Sequence, residues 1–189
     1  MISLKERGKL GVGLFILSEA NFFLLLIVAY VYYHAYPGQG PTAASALNTT
    51  RTALFSVALF ASSATIFMAS RAARNGDREG FIRWLTMTIA LGALFIFGQA
   101  KEYYDLIASG VAVNRNLFAT TFFTLTGFHG LHVIIGLVAL SVTLALAVGN
   151  RLHEESGDGF GAVEWYWHFV DVVWVVVFSV VYLWGASAS

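Results

Sequence analysis

Glu164, His168 and Asp171 stand at i, i+4 and i+7 in an otherwise apolar and aromatic run ending at Trp184, so one helical face carries all three. Two carboxyls and an imidazole on one face are the ingredients of a metal site or a proton relay. The same residue types recur upstream. Glu19 lies in an apolar stretch nine residues past Leu10. Gln99 and Glu102 are one turn apart, as are His129 and His132, which Gly127 and Gly130 flank. Those glycines are expected to let another helix approach closely.

None of these groups forms a complete ligand set. Zinc takes three or four protein ligands, and a bis-histidine haem needs its ligands on opposite sides of the ring. A helical dimetal carboxylate site uses Glu-x-x-His on two helices, whereas this chain has His168-x-x-Asp171. The expectation is therefore no metal and no catalytic residue in this chain. Separate hydrogen-bonded pairs are expected instead, Glu19 with His129 being one pairing, with His129 and His168 at different depths. For Glu19 two readings stand: a structural carboxyl that ties helices together, or a proton-handling or lipid-associated group. Gln99 and Glu102 read as a helix end anchored near the headgroups beside Tyr103 and Tyr104.

The elements that must position these groups are membrane helices. Of 189 residues, 58% are hydrophobic and only 12% charged, about half the charge of a soluble domain. Five segments reach the roughly 20 apolar residues that a span needs: about 10–33, 53–70, 84–100, 118–148 and 165–184. The fold class is an all-α polytopic bundle in a single domain, residues 1–189. The fourth segment is overlong, hence tilted or projecting. The first is too long for the apolar region of a signal peptide and is read as a retained span. Loops are expected at Pro37-Gly-Gln-Gly-Pro41, from Arg71 to Arg83 around Asn75-Gly76-Asp77, from Lys101 to Leu117 around Gly110 and Asn114, and from Gly149 to Gly161. Trp165, Tyr166 and Trp167 read as an interface anchor at one end of the last helix, Tyr182 and Trp184 at the other.

Charge sets the orientation. Lys5, Arg7, Lys9, Arg71, Arg74, Arg78, Arg83 and Arg151 fall on one side; Arg51, Lys101 and Arg115 fall on the other. Positive-inside then puts the N-terminus in the cytoplasm and the C-terminus outside. Zero net charge gives no support for a nucleic-acid partner. The absence of cysteine excludes disulfides, thiolate ligands and cysteine nucleophiles.

Four stretches together resemble subunit III of the haem–copper oxidases: Leu14-Phe-Ile-Leu-Ser-Glu19-Ala-Asn-Phe22-Phe23, Gln99-Ala-Lys-Glu102-Tyr103, Thr126-Gly-Phe-His-Gly-Leu-His-Val-Ile-Ile-Gly136 and Tyr166-Trp-His-Phe-Val-Asp-Val-Val-Trp174. The family's longer form has seven helices, and this chain resembles the last five. The resemblance implies an accessory subunit of a terminal oxidase that binds no haem or copper of its own. Those cofactors are expected in partner subunits. It further implies packing against subunit I, company from subunit II and small accessory subunits, bound phospholipids, and support of proton uptake and of the enzyme's lifetime. Glu19 matches the family's buried, carbodiimide-reactive glutamate. Gln99, Glu102, His129, His132, Glu164, His168 and Asp171 match polar positions whose roles are structural or lipid-associated. A bacterial inner membrane is the expected location. Alternatives are a similar protein associated with nitric oxide reductase, a haem-carrying membrane anchor, and a small transporter with Glu19 and Asp171 as a relay; the transporter lacks the expected interrupted helices.

Overall fold

The computed structural model describes residues 4–34, 42–113, 116–151 and 157–185. Its helices are α1 (Leu4–His34), the one-turn α2 (Ala43–Ala46), α3 (Thr49–Arg74), α4 (Arg78–Ala108), α5 (Leu117–Val148) and α6 (Gly157–Phe178), which continues as a π-helical turn over Ser179–Trp184. No strand occurs among the described residues. Among the described residues five helices are long and apolar enough to cross a membrane: Leu10–His34, Thr49–Arg74, Arg78–Ala108, Leu117–Val148 and Phe160–Trp184. The expected proline-glycine loop and Asn114 lie outside the described residues.

Two connections are shorter than expected, because charged residues end up inside helices. The segment from Arg71 to Arg83 reduces to a tight turn at Asn75 and Gly76, the latter at φ +71. Asp77 then caps α4, its Oδ1 accepting the Gly80 N–H at 2.8 Å. At the far end α4 runs on to Ala108 before Gly110, at φ +86, turns the chain. Asn48 caps α3 and Asn116 caps α5 in the same way as Asp77. Arg78 satisfies the C-terminus of α5: its guanidinium donates to the Ala147 and Val148 carbonyls at 2.9–3.1 Å.

Helices α3 and α4 form a hairpin, α5 packs on α4, and α6 packs against α1, α3 and α5. α1 lies against α5 and α6. The core is aromatic, with Trp167, Trp174, Tyr30, Tyr182 and Phe23 fully buried. Trp167 wedges between two glycines. A β-carbon at Gly92 of α4, or at Gly136 of α5, would lie 2.8 Å from its ring. Small residues that admit a neighbour are the packing device of helices in lipid, where burial from water gives no drive between spans. The expected close approach at Gly130 is not there: a β-carbon would meet nothing within 4 Å, and one at Gly127 would meet only the Tyr103 hydroxyl, at 3.6 Å.

Candidate functional site: polar ties inside the span

The ladder of hydroxyls along α3 positions most of the ionisable side chains. Thr52, Ser56, Ser62, Ser63 and Ser70 face inward because they recur at helical spacing on one side of an apolar helix. Each meets a group on α4 or α6. At one end Ser70 donates to Glu164 Oε2 at 2.8 Å and accepts from Arg74 at 3.0 Å. About two turns deeper, Ser63 hydrogen-bonds both Asp171 and, at 3.2 Å, His168 Nδ1. Ser62 accepts the indole N–H of Trp167 at 2.9 Å, and Ser56 that of Trp174 at 2.8 Å. At the other end Thr52 donates to Glu102 Oε1 at 2.8 Å.

Glu102 is buried between helices at that end of the bundle. It is 2% exposed and also accepts from the Tyr182 hydroxyl at 2.6 Å and the Gln99 amide at 3.3 Å. The expected headgroup anchor is thus a buried three-donor carboxyl. Tyr182, expected at the interface, is fully buried as its main donor. Tyr103 likewise turns inward to Thr126 at 2.7 Å, while Tyr104 stays exposed. Trp167 also departs from the anchor reading: it is wholly buried, and Trp165 alone of that trio is well exposed.

Glu19 pairs with His132, not with His129. Glu19 Oε2 lies 3.0 Å from His132 Nε2, tying α1 to α5. His132 Nδ1 contacts the Phe128 carbonyl at 2.7 Å, and the His132 carbonyl accepts the Tyr166 hydroxyl at 3.0 Å. Tyr166 is two residues from His168, so His132 and His168 lie at similar depth. What separates them is direction: His132 faces α1, and His168 faces α3. His129 is fully buried, and among the described residues neither ring nitrogen has a hydrogen-bond partner. It stacks on Trp174 at 4.7 Å between ring centroids, with Phe23 and Phe95 edge-on.

Among the described residues no three His, Asp or Glu side chains converge as a metal site would need. His132 spends both ring nitrogens, and His129 is boxed by rings. Neither histidine is placed to ligate a haem or a copper ion.

The chain also matches known proteins. The family model described as cytochrome c oxidase subunit III matches residues 2–186. The chain belongs to that family. Cytochrome c oxidase subunit 3 of Synechocystis is 40% identical over 175 residues, covering 92% of this chain and 74% of the relative. That of Gadus morhua is 41% identical over 194 residues, covering 96% and 71%. That of Scyliorhinus canicula is equally similar, 41% over 194 residues. Cytochrome c oxidase subunit III is an accessory subunit of a haem–copper oxidase, so this chain is an integral membrane protein that works in a complex with other oxidase subunits. Sequence reasoning singled out Glu19, Glu102, His132, Glu164, His168 and Asp171, and read Arg74, Tyr103, Tyr166 and Tyr182 as loop or interface residues. It missed their α3 partners, although Thr52, Ser56, Ser63 and Ser70 at steps of four and seven were a readable signal.

Proposed function

We propose that this chain is the non-catalytic subunit III of a proton-pumping terminal oxidase that reduces oxygen to water, in its short five-helix form. It packs on subunit I, meets subunit II and small accessory subunits, holds phospholipids, and supports proton uptake and the enzyme's lifetime in turnover. Haem and copper belong to the partner subunits. The observation that carries this reading is that Glu19, Glu102, His132, Glu164, His168 and Asp171 are each spent on an interhelical tie and His129 is enclosed by rings, inside a chain of the subunit III family. Glu19 keeps an accessible side chain, 23% exposed within the first span, where it can meet lipid or a proton. The N-terminus faces the cytoplasm and the complex resides in a bacterial inner membrane, supported by eight basic residues against three. A C-terminal reporter active in the cytoplasm contradicts that orientation.

Glu19→Gln keeps a hydrogen-bonding side chain of equal size and removes only the ionisable oxygen. The variant complex is expected to retain its haem spectrum and near-normal initial oxygen consumption, and to lose activity sooner during sustained turnover. Loss of the haem spectrum contradicts the accessory reading. An unchanged lifetime removes Glu19 from the proton-uptake role.

A further inference from the structure

Four carboxyls on the spans have a basic group in their hydrogen-bonded chain. Glu19 meets His132, Glu164 meets Arg74 through Ser70, Asp171 meets His168 through Ser63, and Asp105 pairs with Arg51 and Lys101. Glu102 differs. Among the described residues its hydrogen-bond partners are Thr52, Gln99 and Tyr182, all uncharged. Arg51 is the cation whose field reaches Glu102, and its guanidinium is paired with Asp105. On α4, Tyr103 turns to Thr126, and Lys101 turns to Asp105. α5 carries no Asp, Glu, Lys or Arg. A carboxylate so enclosed, without a counterion, bears a desolvation cost that neutral donors offset only in part.

Hydrogens are also too few at this site. Thr52 Oγ1 lies 2.8 Å from Glu102 Oε1 and 3.2 Å from the Asn48 carbonyl, and the hydroxyl has a single hydrogen to give. Beside them Gln99 Oε1 is buried without a partner among the described residues. A hydrogen on Glu102 Oε1 corrects the count at Thr52. Glu102 then donates to Thr52, Thr52 donates to the Asn48 carbonyl, and Glu102 Oε2 still accepts from Tyr182 at 2.6 Å and Gln99 at 3.3 Å. The heavy atoms stay where they are, because a hydroxyl hydrogen rotates to suit its neighbours.

We propose that Glu102 is a proton-binding site: it holds a proton as a carboxylic acid and exchanges it, through the Thr52 hydroxyl, with water at the Asn48 end of α3. Asn48 is exposed and caps α3 one turn from Thr52, so the path is a single hydroxyl long. In the exchange Thr52 passes its own hydrogen outward to water and takes the one from Glu102. The acid O–H bond breaks, a Thr52 O–H bond replaces the one given up, and the proton leaves as hydronium. The carboxylate left behind keeps three donors, since the Thr52 hydroxyl turns back to Oε1. Both protonation states are met within one helix arrangement, as a group that takes up and returns a proton requires.

The test is an infrared difference spectrum at neutral pH, wild type minus Glu102→Gln, on the complex purified through a tag on this chain, in H2O and in D2O. Glutamine copies the proposed acid, its amide nitrogen donating to Thr52, so the variant is expected to stay assembled. The expected result is a carboxylic acid C=O band that the variant lacks and that shifts on transfer to D2O. Thr52→Val leaves Glu102 in place but removes both the acceptor and the route. The band should then move to higher frequency, and its shift in D2O should slow. Carboxylate bands in place of the C=O band show an ionised Glu102 and overturn the proposal. A C=O band that Thr52→Val leaves unchanged in frequency and exchange overturns it as well. Where Glu102→Gln does not assemble, the Thr52→Val difference decides: a shifted C=O band supports the site, and a shifted carboxylate band refutes it.

Discussion

Glu102 shows how a polar side chain is kept buried between membrane helices. Burying it without partners would cost several kcal/mol. Thr52, Gln99 and Tyr182 bring three donors from three different spans, so the desolvated oxygens are met and the helices are held in register. Tyr182→Phe deletes the shortest of these bonds and little volume. It is expected to destabilise the subunit by about 1–2 kcal/mol, read as earlier loss of this chain from the heated complex, with oxygen reduction by the intact complex unchanged. An unaltered heating profile would show that the tie contributes nothing to holding the bundle. The sequence carried Glu102 plainly but not its setting. Its neighbours Tyr103 and Tyr104 fit an interface belt equally well, and the donor Tyr182 is eighty residues away. Glu19 and His132 were legible as a tie, whereas the hydrogen bond expected at His129 is not found among the described residues; which histidine takes Glu19 depends on the rotation of α5, which spacing alone does not fix.

At the scale of the helices, the five spans follow from hydropathy, and their ends follow from caps. The sequence reading ended spans at the first charges, whereas α3 and α4 carry Arg71, Arg74, Arg78, Lys101 and Asp105 within their helices. Hydrogen bonding explains this: a helix stops where a cap or a positive-φ residue takes over its free groups, not where apolar character fades. The same lesson applies to glycine. Gly130 was the apparent contact in the fourth span because it separates two histidines, yet the space beside it is open. Gly136 and Gly92 accept Trp167. Gly136→Leu should therefore displace Trp167 and weaken packing by about 1–3 kcal/mol, the usual range for overfilling a packed site. Gly130→Leu should be tolerated. Comparing how readily each variant subunit dissociates on heating checks the pair; equal sensitivity would refute the assignment of the contact to Gly136.

For the molecule as a whole, the chain spends its polar residues on internal ties and leaves an outward surface suited to lipid and partner helices. The fold class was legible because five long apolar runs admit few alternatives in a bilayer, where backbone groups must be satisfied within each span. The family was legible because four aromatic and polar stretches kept their order along the chain. The internal arrangement was not, since azimuth and depth arise from packing. The central claim is that this chain accompanies redox centres without holding one. The most direct measurement is a reduced-minus-oxidised visible spectrum of the complex purified in mild detergent through a tag on this chain, repeated after the subunits are separated. The account predicts a haem a or haem o signal together with a larger polytopic subunit, and a colourless chain once separated. A solitary colourless chain at the first step, or haem that stays with this chain at the second, would contradict it.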